Sequence, residues 1–144
     1  MSVLPSVEPH IVVNSDRTIT VPDELKSIAA QFDHNIETVV FDCPRFWDGN
    51  DFKDMSVYII YMRGDDEPGM YECNDVTVDE TDDKIMHFSW LISGDVTAVA
   101  GKISFLVSIK QTDEAGLLLK RWNSFRCNEC TIRKGINVSD DLLF

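Results

Sequence analysis

Between Lys102 and Lys110 the chain reads KISFLVSIK, with Ile103, Phe105, Val107 and Ile109 on one face and Ser104 and Ser108 on the other. A period of two over nine residues is incompatible with an amphipathic helix and predicts a strand whose apolar face lies on a core. Lys84 to Ser93 (KIMHFSWLIS) repeats the pattern, with Met86, Phe88, Trp90 and Ile92 on one side. His34 to Cys43 places Val39 and Phe41 opposite Thr38 and Val40, and MSVYIIYM at 55–62 is apolar on both faces, as a central strand requires.

Turn-forming runs separate these stretches: Trp47-Asp48-Gly49-Asn50-Asp51, Gly64 to Gly69, Asp79 to Asp83, and Gln111 to Gly116. Further strands are expected over Arg17–Val21, Tyr71–Val78, Leu117–Trp122 and, as a last edge strand, Thr131–Ile136. Pro22 and the acids after it either open a short helix through LKSIAAQF or begin a loop between strands, and Asp95 is placed to cap a single helical turn before Gly101. The pattern predicts an all-β, antiparallel β-sandwich of about seven or eight strands. Residues 1–16, with Pro5 and Pro9, read as an extended N-terminal arm, 17–138 as the sandwich, and 139–144 as a short C-terminal tail.

The chain has 144 residues, 44% hydrophobic and 26% charged, which suits one domain with a proper core. Its 13 basic and 25 acidic residues give a formal charge of -12, so nucleic-acid and anionic-membrane partners are not expected. The charge serves solubility or, more sharply, offers a docking face to a basic partner or carboxylates that bind a cation. The N-terminal stretch has neither the positive region nor the apolar run of a signal peptide, and no apolar run approaches the roughly 20 residues that span a bilayer. Cytoplasmic synthesis and reduced cysteines are therefore expected. Cys127 and Cys130 form a C-x-x-C pair while Cys43 and Cys73 stand apart, which leaves plain thiols, a zinc site with help from Cys43 or Cys73, and a redox pair as readings.

No catalytic constellation stands out. The three histidines, His10, His34 and His87, lack H-E-x-x-H spacing, and neither a nucleophile elbow nor a P-loop occurs. His87, on the strand face opposite Phe88 and Trp90, reads as a satisfied or solvated sheet histidine. The acidic turns read as solvated, and no cofactor or metal is expected. Trp47 and Trp122, beside loop residues, read as plugs at the ends of the sandwich or as exposed anchors for a protein or a sugar ring. With Val3, Leu4, Val7 and Ile11 of the arm, which is suited to adding an extended segment to a neighbour's sheet, they are the candidate interface residues.

Taken together, TITVPDELKSIAAQFDHNIETVVFDCPRFWDG, MSVYIIYMR, DETDDKIMHFSWLIS, GKISFLVSIK and RWNS resemble a domain of phages and prophages of Gram-positive gut bacteria, similar to the N-terminal domain of phage baseplate upper proteins. The resemblance covers about residues 16 to 126. It implies an immunoglobulin-like β-sandwich and a non-enzymatic virion protein, made in the host cytoplasm, that assembles in multiple copies with other virion proteins. These 144 residues carry neither a coiled-coil stalk nor a receptor-binding head, which leaves capsid decoration or a collar or tail accessory beside the baseplate. A carbohydrate-binding adhesion module using exposed tryptophans is the alternative.

Overall fold

A computed structural model describes residues 8–136. In chain order the strands are β1 (His10–Val13), β2 (Ile19–Thr20), β3 (Ser27–Ala30), β4 (Thr38–Pro44), β5 (Phe46–Trp47) and β6 (Asn50–Asp51). There follow β7 (Ser56–Met62), β8 (Pro68–Cys73), β9 (Thr77–Val78), β10 (Ile85–Leu91), β11 (Gly101–Thr112), β12 (Leu118–Asn123) and β13 (Cys127–Arg133). Among the described residues helix is confined to one turn, α1 (Gly94–Thr97), and two 3-10 turns at Asp23–Leu25 and Phe52–Asp54.

Two sheets face each other. The first runs β2-β1-β4-β10-β9 and the second β3-β13-β11-β7-β8, with β12 paired to the half of β11 that β13 leaves free. The expected all-β sandwich is present, but its sheets are not antiparallel throughout. β1 runs parallel to β4, and β3 runs parallel to β13. Parallel neighbours need a long crossover between them, and here the chain crosses between sheets to supply it.

The inward faces match the alternation in the sequence. Phe41 of β4 stacks on Phe88 of β10 at 5.3 Å and meets Phe105 of β11 edge-on at 5.9 Å, which joins the two layers. Trp90 packs on Phe105 and on Tyr61, at 5.6 Å in each case. Burying each such side chain contributes roughly 1.5–3 kcal/mol, so this aromatic seam is the main source of cohesion.

Four details differ from the expectation. His10–Val13, assigned to the arm, is a strand of the first sheet, and its Ile11 is fully buried. The single strand expected over Tyr71–Val78 is two, β8 in the second sheet and β9 in the first. The last strand lies inside its sheet, because β3 pairs along its far side. Ser104 and Ser108 are buried instead of solvated; Ser104 accepts two N–H groups of Arg126, at 2.9 and 2.6 Å.

Candidate functional site

The structure brings Trp47 and Trp122 together at one corner of the sandwich. Trp47 is carried by the hairpin β5–β6, whose two turn residues, Asp48 (φ 47°) and Gly49 (φ 81°), are both left-handed. An Asp-Gly pair of this kind makes the tight two-residue turn whose twist matches paired strands. Arg45 clamps the hairpin: its Nε and Nη2 donate to the two carboxylate oxygens of Asp51 at 3.1 and 3.0 Å, and its Nη1 donates to the Asp83 carbonyl. The Arg45 hydrogen bonds hold the Asp51 carboxyl below the ordinary carboxylate range. Across the corner, Lys120 Nζ donates to Asn50 Oδ1 at 2.6 Å.

Held this way, Trp47 lies 5.3 Å from Trp122, whose other side meets Phe52 at 5.2 Å. The Arg17 guanidinium sits over both indoles, 5.1 Å from Trp47 and 5.2 Å from Trp122, and its Nη1 donates to the Asn123 carbonyl. Arg17 itself is left-handed (φ 77°) in the turn between β1 and β2, a backbone state that costs a non-glycine residue about 1 kcal/mol or more. The Arg17 carbonyl accepts the Phe125 N–H at 2.8 Å, so this one residue ties the first sheet to the second. An open pocket of about 310 Å³ results, lined by Arg17, Trp47, Asp48, Asn50, Lys120 and Trp122 among others. Its chemistry is aromatic and cationic on a strongly acidic chain. Tryptophan and arginine are the residue types that anchor protein interfaces.

Of the other candidate interface residues, Ile11 is a core residue: the period of two in β1 turns it inward beside Phe41. Val3, Leu4, Val7 and the tail 139–144 lie outside the described residues. Trp47 is half-buried and Trp122 is buried, so both plug the corner, and Arg17 occupies the ring faces that a sugar would use. Sequence reasoning missed Arg17, which carries no local signal.

It also missed the edge beside this corner. β12 pairs only with β11 among the described residues. At its start Leu117, Leu118 and Leu119 are 66%, 47% and 58% exposed. Three consecutive leucines after a turn break the alternation, and that break was the available signal.

The cysteines are all reduced and buried, and among the described residues they do not gather into a metal-binding group, so the zinc reading of the C-x-x-C pair finds no third ligand. Cys130 Sγ donates to the Leu25 carbonyl at 3.5 Å; the neighbouring Cys130 thiol holds Cys127 down at about 7, while Cys127 and burial push Cys130 up. Burial pushes Cys43 and Cys73 up to about 12. No helix among the described residues is long and apolar enough to cross a membrane.

No protein-family model matches the chain, and no curated protein sequence matches it. Among solved structures it is similar to the N-terminal domain of phage TP901-1 ORF48, with a TM-score of 0.48 and 9% identity over 88% of this chain and 96% of that one.

Proposed function

We propose that this chain is a non-enzymatic bacteriophage virion component, a β-sandwich that assembles at the tail or baseplate, or on the capsid surface, through protein contacts. The observation that carries assembly is the exposed triplet Leu117–Leu119 at the start of β12, whose outer edge has no partner among the described residues. Lys120 and Arg121 charge the middle of this strand, but the leucines ahead of them stay apolar, and an apolar edge pairs with another chain. The phage setting is supported by the resemblance of the five quoted sequence stretches to baseplate upper proteins. Many copies on a symmetric particle make a modest edge contact sufficient, because avidity multiplies it.

Immunogold labelling of intact particles with antibody against this chain tests the reading. Gold at the tail tip places it at the baseplate, and gold over the head makes it a decoration protein. Particles without label overturn the virion role. A reproducible glycan-array hit abolished by Trp47→Ala would instead put carbohydrate binding first.

A further inference from the structure

The outer face of the first sheet carries a histidine–carboxylate cluster that the assembly reading leaves unused. His10 lies on β1, Asp42 on β4 and His87 on β10, three adjacent strands. Register pairs both Val12 and His87 with Asp42, and the period of two puts His10 on the same outward face as Val12. Asp42 Oδ1 accepts from His10 Nδ1 and from His87 Nδ1, each at 2.7 Å. The two rings meet edge to face, with centroids 5.9 Å apart and planes at 66°, so both Nδ1 atoms converge on one point. The three side chains are 26–30% exposed, within reach of solvent but not loose in it.

A fourth residue gives the cluster its direction. His87 Nε2 donates to Asp79 Oδ1 at 2.7 Å, just beyond β9. Asp79 is itself fixed, accepting the N–H groups of Thr81 and Asp82 and the Thr81 hydroxyl at 2.9–3.0 Å. A carboxylate behind one imidazole nitrogen, with the other nitrogen aimed at a shared point, is the arrangement that orients histidine ligands of metals. An isolated surface ion pair contributes little and needs no such backing.

We propose that His10, Asp42 and His87 form a binding site for a divalent first-row transition metal ion, zinc in the first instance. Two imidazoles and one carboxylate suit zinc and its neighbours; magnesium and calcium prefer all-oxygen sites, and copper(I) prefers sulfur. The three ligand atoms lie within 4.8 Å of one another. Zinc bonds of roughly 2.0–2.2 Å need ligands a little over 3 Å apart, so the close pairs open by about half an ångström on loading. On loading, His87 releases its Nδ1 proton to solvent and keeps the Nε2 proton on Asp79, while His10 carries its proton on Nε2. Glu8 and Glu24 line the open cleft beside His10 and Asp42, which raises the local concentration of cations. Three protein ligands leave a fourth position for water or for a side chain from an adjoining subunit.

The test is calorimetric titration of the EDTA-stripped full chain with zinc chloride alone, beside His10→Ala, His87→Gln and Asp79→Asn, with circular dichroism confirming that each is folded. One ion should bind per chain, binding should vanish in either histidine variant, and Asp79→Asn should weaken it by about 10- to 100-fold. Cobalt loading should give visible bands without a thiolate charge-transfer band. The proposal is overturned if no stoichiometric binding occurs at millimolar zinc, if binding survives either histidine replacement, or if the cobalt spectrum shows sulfur ligation.

Discussion

The aromatic seam and the leucine run that opens β12 are both rich in large apolar side chains, and they treat them in opposite ways. Phe41, Phe88, Trp90 and Phe105 are each at most 1% exposed, whereas Leu117, Leu118 and Leu119 each keep about half or more of their surface in water. The two sheets differ in the same sense at their edges. The first ends in β2 and β9, strands of two residues each that offer little to pair with, while β12 runs for six. In the seam, apolar area contributes to folding. On the leucine run it contributes little, and its presence there points to a contact made after folding.

The comparison breaks first at its buried end. Phe105→Ala removes the ring that Phe41 and Trp90 share across the layers, and it should cost about 3–5 kcal/mol in urea unfolding. A loss under 1 kcal/mol would mean that the seam is not what joins the sheets.

The tryptophan corner lies between the two extremes. Arg17→Ala removes the guanidinium from both indoles and the bond to the Asn123 carbonyl, and it should cost roughly 1–2 kcal/mol. Arg17→Gly should cost less than Arg17→Ala, by about 1 kcal/mol, because glycine accepts φ 77° without strain. Equal losses would show that the left-handed backbone carries no strain.

The clamp behind that corner gives a pH signature. Asp51 has its folded pKa depressed below 3.8 by Arg45, so its contribution is complete above the unfolded value and is lost as pH falls through the depressed one. Asp51→Asn should therefore lower stability at neutral pH and flatten the acid limb below about pH 4. Parallel acid limbs for the variant and the parent chain would remove Asp51 from that account.

What the sequence made legible follows the range of each signal. β10 and β11 announce themselves because alternation in the sequence over seven and nine residues is its own evidence. β1 and β3 are four residues each, too short to show a period, and each is held by a parallel partner far along the chain, Val40–Asp42 and Thr131–Arg133. The corner was half legible. Asp48-Gly49 marks its turn and the two tryptophans stand beside turn residues, but what joins them is Arg17, a residue with no pattern around it. The cluster of His10, Asp42 and His87 was not legible at all, because it exists only once the register of three strands is set.

The smallest expected change in stability is the most informative about function. Replacing Leu117, Leu118 and Leu119 together by serine should leave unfolding within about 0.5 kcal/mol of the parent chain, since surface positions away from caps and core contacts rarely matter more. The same variant should lose co-sedimentation with particles stripped of this chain, because the edge that would pair with a neighbour has lost its apolar contacts. A destabilisation of several kcal/mol would show that the leucines belong to the fold, and the contrast with the seam would collapse. Unchanged stability with undiminished binding would keep the contrast but move the interface elsewhere, with the corner at Trp47 as the next surface to test.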